Sequence, residues 1–209
     1  MSIVINGSGT ISGISVGGLP DSIVDAGTLA TNSVTNAKIT DGSVDAAALA
    51  TNSVTAEKLE VSAITHSDLP SGSVLQVVHG NTNSNFSIGG ATYADTGLSA
   101  AITPKFSNSK IYIQIGQPGW ISVDTTAARH VNFNICRGST VLIEGKVVYK
   151  AASGYDTPFS NNLNWLDSPN TTSATTYKTQ MKINNSSADA YAQQDSDSYS
   201  TITLMEIAG

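Results

Sequence analysis

Residues with catalytic potential are scattered along this 209-residue chain. The three histidines, His66, His79 and His130, stand at no metal-ligand spacing to one another or to Cys136. The acidic residues form no pair of the kind that a glycosidase holds across a cleft. Residues 195–197, Asp-Ser-Asp, resemble the start of a calcium loop but lack its later Gly and Glu. We therefore predict that the chain is not an enzyme and uses neither a metal ion nor a cofactor.

A second set of side chains has the chemistry of a sugar-binding site. Aromatic rings pack on the apolar side of sugar rings, while Asn and Asp orient the hydroxyls through paired hydrogen bonds. One aromatic follows a predicted turn at 117–119, and the other residues lie in a long irregular segment predicted at 151–173. The predicted receptor-binding residues are Trp120, Tyr155, Asp156, Asn161, Asn162 and Trp165. The alternative role of each tryptophan is to fill a core or a subunit interface.

The element that would carry such a site is a repeat with an apolar residue at every fifth position, ten times in succession. These residues are Val24, Leu29, Val34, Ile39, Val44, Leu49, Val54, Leu59, Ile64 and Leu69. A short repeat with so few apolar side chains cannot form its own core, so it must bury them against neighbouring chains. We interpret residues 23–70 as the shaft of a multi-chain fibre, with these ten side chains along its axis.

Local structure must change within each ten-residue repeat. A step of five residues turns about 140° around an α-helix, and it alternates between the two faces of a strand, so neither element gives one apolar stripe. The first apolar residue of each repeat is followed by Thr or Asp, which are good N-caps. With the second apolar residue five places after the first, this is the spacing of a hydrophobic staple. We predict one capped helical turn per repeat, followed by a short extended link.

Segments Ser33–Ile39 and Ser53–Leu59 share the form Ser-Val-Thr-x-x-Lys-Ile/Leu and resemble the shaft repeats of bacteriophage tail fibres. The resemblance extends to Gly17–Asp21 and to Thr203–Ala208. It implies a homotrimer that joins a tail, portal or adaptor protein through its N-terminus and meets a host-surface glycan or protein with its C-terminal domain. Two other classes stay open: a head fibre or capsid decoration protein and, less favoured, a capsule-degrading spike enzyme.

Composition divides the chain in the same way. No aromatic residue precedes Phe86, although compact domains normally use aromatic side chains to fill their interiors. Residues 1–70 carry seven of the 16 acidic residues and two of the ten basic ones. The absence of a basic cluster argues against nucleic acid or anionic lipid as partners. The single cysteine allows no intrachain disulfide. Since no signal-peptide or transmembrane pattern is visible, we expect a virion protein made in the host cytoplasm.

From residue 71 the hydrophobic pattern changes to a period of two, which is typical of strands. The predicted strands are Ser73–Val78, Leu98–Thr103, Lys110–Ile115, Ala128–Cys136, Thr140–Tyr149, Leu163–Leu166, Thr175–Ile183 and Tyr199–Ile207. About eight strands without a helical period indicate an antiparallel β-sandwich of jelly-roll type, with a layout that resembles the trimeric tumour-necrosis-factor and C1q domains. We predict a mainly β protein in three parts: a virion attachment segment at 1–22, the shaft at 23–70 and a jelly-roll knob at 71–209.

Overall fold

The computed structural model describes residues 4–5, 11–12, 31–60, 63–123, 129–149, 157–184, 188–193 and 197–209. The chain divides into two compact units, Met1–Val61 and Ser62–Gly209. In the first unit, strand β1 (Val4–Ile5) pairs antiparallel with strand β2 (Ile11–Ser12). The predicted axis residues Val24 and Leu29 lie outside the described residues.

Two kinds of tight turn occur in the described repeats, and three turns of the first kind are short 3-10 helices. They span Asn36–Lys38, Ala56–Lys58 and His66–Asp68. Turns of the second kind are closed by hydrogen bonds from the N–H groups of Ser43, Ser53 and Ser73 to the carbonyl oxygens of Thr40, Ala50 and Pro70, so the predicted extended links are wrong at these positions. Residues with a left-handed backbone follow the ten-residue repeat, with one interval of twenty: Asn32 (φ 62°), Gly42 (φ 78°), Asn52 (φ 64°) and Gly72 (φ 90°). Only Gly, and to a lesser degree Asn, adopts this conformation at low cost. The predicted helical turn is therefore a three-residue 3-10 turn, which a left-handed residue separates from the next one.

Acidic side chains make capping hydrogen bonds in two turns, Asp45 as the N-cap itself and Asp68 as the partner of the N-cap Thr65 in a capping box. Asp45 Oδ1 accepts hydrogen bonds from the N–H groups of Ala47 (3.0 Å) and Ala48 (2.9 Å). Asp68 Oδ2 accepts one from the N–H of Thr65 (2.8 Å), and this bond, with a second from the Thr65 hydroxyl, holds the pKa of the Asp68 carboxyl below its ordinary value. The prediction is wrong for Thr35, whose side chain makes no cap bond.

Lysine closes the two repeats that begin with Ser-Val-Thr. Lys38 Nζ donates to the carbonyl oxygen of Ser33 at 2.6 Å, and Lys58 makes the same bond to Ser53. A cation near the end of a helical turn also interacts favourably with its free carbonyl groups. The Lys of this sequence pattern therefore stabilises the 3-10 turn at whose end it lies.

The second unit is an antiparallel β-sandwich of two sheets. The four-stranded sheet has the order β5 (Ala94–Ile102), β10 (Thr175–Ile183), β7 (Arg129–Arg137) and β8 (Thr140–Tyr149). The other sheet has the order β3 (Val74–Thr82), β12 (Ser200–Ile207), β6 (Lys110–Val123), β11 (Ala188–Ala192) and β4 (Phe86–Ile88), while β9 (Thr157–Asp167) pairs with the free side of β6. We call the four-stranded sheet the β10 sheet and the other one the β6 sheet. The sandwich predicted from the period-two pattern is confirmed.

Alternate residues of the strands fill the space between the sheets. Three rows of inward side chains are buried: Ile111, Ile113 and Ile115 from β6; Val131, Phe133 and Ile135 from β7; Tyr177, Thr179, Met181 and Ile183 from β10. Phe133 and Phe159 meet edge to face across the sandwich, with ring centroids 5.4 Å apart. Edge-to-face contact adds to the stabilisation that comes from burying the ring surfaces.

Two sequence predictions about irregular structure are wrong. Residues 117–119 are not a turn, because β6 continues through them, and strand β9 spans residues 157–167, of which only Leu163–Leu166 were predicted as a strand. Pro118 is tolerated in β6 because it lies where the strand changes its neighbour from β12, which pairs as far as Gly116, to β11, which pairs from Gly119. Strands β4 and β11 were not predicted, since they are only three and five residues long.

The buried Glu206 carboxylate forms several hydrogen bonds at the end of the sandwich at which the chain enters. Glu206 accepts hydrogen bonds from Gln76 Nε2 and from the N–H of Lys105 (2.7 Å). Burial raises the pKa of this carboxyl, but the hydrogen bonds from Gln76, Ser109 and the backbone outweigh it, so the pKa is lowered. The last residues return to the same place, since the N–H of Gly72 donates to the carbonyl of Ala208 at 2.8 Å.

Candidate functional site

Trp120 lies on the outer face of the β6 sheet, near the end that is distant from Val74. Its cross-strand neighbours are Pro158 on β9 and Tyr191 on β11. The side chain is half-buried, and its Nε1–H is enclosed without a hydrogen-bond partner among the described residues. One edge of the indole is therefore covered by protein, and the rest of the ring is available for contact.

The two predicted asparagines of β9 point to opposite sides of the sheet. Asn161 faces inward opposite Gln117, and both side chains are buried. Asn162 is exposed on the outer face opposite Gly116. Because successive strand residues alternate in direction, adjacent asparagines cannot contact one ligand together. The structure brings Asn162 to the same face as Trp120 and places Asn161 in the core.

Trp165 lies apart from Trp120, near the opposite end of β9. It is paired with Ile113 and is 38% exposed, because β9 is the outer strand on this side of the sheet among the described strands. Tyr155 and Asp156 lie outside the described residues. The described members of the predicted receptor-binding set therefore form no single cluster.

The outer face of the β6 sheet carries a row of apolar residues that the sequence reasoning did not find. Met205 is paired with Val77 on one side and with Tyr112 on the other, and Tyr112 is paired with Leu166. Val77 is 57% exposed and Leu166 is 49% exposed. We call these four residues the apolar row. A signal existed in the sequence: Val77, Tyr112 and Met205 occupy the outward positions of strands whose inward positions are also apolar.

The outer face of the β10 sheet is charged and polar instead. Lys178 and Gln180 on β10 both donate to the Asp95 carboxylate, at 2.6 and 2.8 Å. The bond from Lys178 chiefly, together with that from Gln180, lowers the pKa of Asp95, although burial opposes the shift. Lys182 Nζ lies 4.2 Å from the centre of the Tyr93 ring, within cation–π distance. This face is a network of charged and polar groups.

A second hydrogen-bonded carboxylate is found nearby on the same face. Asn132 on β7 donates to Glu144 on β8. Hydrogen bonding to Tyr93, and next to Asn132, lowers the pKa of the Glu144 carboxyl. The two outer faces of the sandwich thus differ in kind, since one is charged and internally hydrogen-bonded and the other carries exposed apolar side chains.

Three further observations concern metal binding, membrane-spanning helices and clefts. Within the part of the chain that the structure describes, no group of three His, Cys, Asp or Glu residues is placed to hold a metal ion. No helix among the described residues is long and apolar enough to cross a membrane. A shallow cleft of about 210 Å³ lies where the chain enters the second unit. It is lined by His66, Ser67, Leu69, Phe106, Asn108, Ala208 and Gly209.

No protein-family model and no curated protein matches this chain. Among solved structures, the chain is similar to a structure of infectious bursal disease virus, Gx strain, with 13% identity, a TM-score of 0.32, and coverage of 64% of this chain and 37% of that chain. It is also similar to the VP2 subviral particle of that virus, with 13% identity, a TM-score of 0.34, and coverage of 65% and 39%. The chain spans less than two fifths of either protein, and so loose a likeness supports no assignment. The class that the structure itself defines is an antiparallel β-sandwich preceded by a repetitive segment.

Proposed function

We propose that this chain is a structural fibre protein of a virion, that it assembles as a homotrimer, and that its C-terminal unit binds the host surface. The observation that carries the proposal is the exposure of the repeat's apolar side chains. The described ones are Val34, Ile39, Val44, Leu49, Val54, Leu59, Ile64 and Leu69, and their exposed fractions range from 37% at Leu69 to 59% at Ile64. Valine, leucine and isoleucine are normally buried, and the described residues of a single chain leave these side chains more than a third exposed.

Copies of the same chain are the partner that best fits this stripe. The apolar positions recur at one spacing throughout, so two or more copies in register present apolar side chains at every level of a shared axis. Three small aliphatic side chains per level fill a narrow axis. A single short helical turn is unstable by itself, so contacts between chains must supply the stability.

The fold of the second unit supports the jelly-roll assignment. If the short strands β4 and β11 are set aside, eight strands remain. In chain order, the first, eighth, third and sixth are neighbours in one sheet, and the second, seventh, fourth and fifth are neighbours in the other. Connections that cross repeatedly between two antiparallel sheets are typical of jelly rolls, which are common in viral capsid proteins and lectins.

Light scattering on the purified chain tests the assembly, and we expect the mass of three chains. Leu49→Asp should shift the protein toward single chains, because it places like charges beside one another on an apolar axis. Thr51→Asp adds the same charge at an exposed position outside the stripe and is the matched control. A one-chain mass for the unmodified protein would overturn the proposal.

For host binding we propose a surface glycan that is bound without cleavage. Trp120 and Asn162 supply an aromatic ring and an amide on one face of the β6 sheet, and three copies would give avidity from weak single sites. The test is a glycan array probed with the full chain and with Trp120→Ala and Trp165→Ala. Loss of binding in Trp120→Ala with unchanged thermal unfolding would support the site. Unchanged binding in both variants would remove both residues from it.

We propose an appendage of the phage tail, and a head fibre or capsid decoration protein is the alternative. The feature that favours an attached appendage is the N-terminal β1–β2 hairpin, which is too small to be stable alone and needs a partner. Gold labelling of the C-terminal unit on intact virions, viewed by electron microscopy, distinguishes the two locations. Label on the capsid would instead identify a head fibre or decoration protein.

A further inference from the structure

The apolar stripe of the repeat continues into the β-sandwich. Within the unit Ser62–Gly209, Ile64, Leu69 and Val74 keep the five-residue spacing, and Val74 is the first residue of β3. All three side chains are exposed, Val74 to 51%. The stripe therefore runs from the last 3-10 turn to the edge of the β6 sheet without a change of period.

From Val74 the exposed apolar residues continue onto the outer face of the sheet. Val74 is paired with Ile207, the last residue of β12, and a β-bulge separates this pair from the pair of Gln76 and Glu206. Ile207 and Met205 are two residues apart on β12 and therefore lie on the same face, and Met205 is at the centre of the apolar row. The last residue of the stripe is thus paired with the strand that also carries the centre of the apolar row.

The small number of charged groups on this face favours contact between two copies of it. The outward rows that cross β3, β12, β6 and β9 contain Thr, Asn and Gln beyond the apolar row, at positions such as Thr203, Gln114 and Asn164. Among the described residues of these rows, Lys110 is the one Asp, Glu, Lys or Arg residue. Depletion of charge around an apolar centre is typical of the core of an interface.

We propose that the apolar row of Val77, Met205, Tyr112 and Leu166 is covered by a second copy of this chain, so that the end of the β6 sheet nearest Val74 faces the assembly axis of the fibre. This inference rests on the proposed homotrimer, because a second copy of this chain is the occupant that it requires. The charged outer face of the β10 sheet is then turned away from the axis and toward the surroundings. Host contacts would come from that face and from the opposite end of the β6 sheet, where Trp120 lies.

Cysteine labelling tests which face is covered. Val77→Cys places a thiol in the apolar row, and Lys146→Cys places one on the exposed outer face of the β10 sheet. The native Cys136 is buried and gives the background rate. In the assembled protein we expect a maleimide to label Val77→Cys at least about tenfold more slowly than Lys146→Cys. In urea, the two variants should label at the same rate.

The outcomes separate the two proposals. A three-chain mass with equal labelling of the two variants would overturn the interface and leave the trimer intact. A one-chain mass would overturn both.

Should Val77→Cys fail to assemble, peroxide oxidation of the unmodified chain gives the answer without a variant. Met205 should then oxidise as slowly as Met181, which is fully buried in the core. Oxidation of Met205 at least about tenfold faster than that of Met181 would overturn the interface.

Discussion

The Asp167 carboxylate joins the two sheets at the end where the chain enters the sandwich. Its Oδ2 accepts hydrogen bonds from Arg137 Nη1 at 2.8 Å and from the Tyr177 hydroxyl at 2.7 Å. Asp167 belongs to β9, whereas its two donors belong to β7 and β10 of the other sheet. Burial chiefly, and then the neighbouring carboxylate, raises the pKa of Tyr177, so its hydroxyl stays protonated as a donor.

We expect Asp167→Asn to lower the free energy of unfolding by about 1–3 kcal/mol, since it removes a charged acceptor from two buried or half-buried donors. Asp95→Asn is the matched control, because Asp95 pairs with Lys178 on an exposed face. An exposed pair contributes at most about 1 kcal/mol. Urea denaturation measures both variants. Equal losses would show that Asp167 does not hold the sheets together.

The lowered pKa of Glu206 predicts a loss of stability in acid. A carboxyl whose folded pKa lies below its unfolded value contributes stability above the unfolded pKa and loses it as the pH falls through the folded pKa. The ordinary value is 4.5, so the loss should begin near there and grow toward lower pH. Glu206→Gln should be less stable at pH 7 and show a shallower decline. Urea midpoints measured from pH 7 to pH 3 provide the comparison, and parallel curves would exclude this role.

At the scale of elements, β6 is the strand on which the sandwich depends. It pairs with β9 along one side and with β12 and then β11 along the other. Gly119 lies where β11 joins it, and a Cβ there would come within 2.1 Å of the Tyr191 carbonyl oxygen and 2.5 Å of the Phe159 ring. Only glycine allows the three strands to approach so closely.

Gly119→Ala should therefore destabilise the second unit by about 3 kcal/mol, since backbone and an aromatic ring would both have to move. Gly116→Ala in the same strand is the control, because its added Cβ would meet only side-chain oxygens, that of Thr201 at 3.1 Å and that of Asn162 at 3.8 Å. Thermal unfolding followed by circular dichroism measures both. A loss for Gly116→Ala as large as that for Gly119→Ala would show that strand glycines matter for another reason.

Sequence periodicity predicted the presence of most strands well and their neighbours poorly. The bounds of β8 and β10 are as predicted, and in β10 every second side chain from Tyr177 to Ile183 is buried. The sequence reasoning ended β6 at Ile115, since Gly116, Pro118 and Gly119 interrupt the pattern. Those residues are explained by neighbouring strands, and local patterns do not contain that information.

The candidate site was less predictable than the fold for the same reason. Asn161 and Asn162 are adjacent in sequence, and an irregular loop would have let both reach one ligand, but strand geometry separates them. The apolar row joins residues from four strands that are distant in sequence, so it becomes visible only once the register is known.

At the scale of the whole molecule, function divides along the chain in the proposed fibre. The first unit begins with the β1–β2 hairpin, and the second carries the sandwich with its own core. Removing Met1 to Pro20 should leave a three-chain assembly with unchanged thermal unfolding of the sandwich, yet abolish incorporation into virions. Light scattering and immunoblots of purified virions measure the two effects, and normal incorporation would place attachment elsewhere.

The pairing of the first and last strands of the sandwich has a mechanical consequence. β3 and β12 are adjacent and antiparallel, and Gly72 bonds to Ala208 beside the point where the chain enters. A force between a held N-terminal end and a ligand at the opposite end of the sandwich would act along these strands. Their ladder hydrogen bonds lie perpendicular to that direction and share the load in shear. A force applied through the C-terminus would instead peel β12 away one pair at a time. The fold is therefore strongest against the pull that a tethered virion would exert.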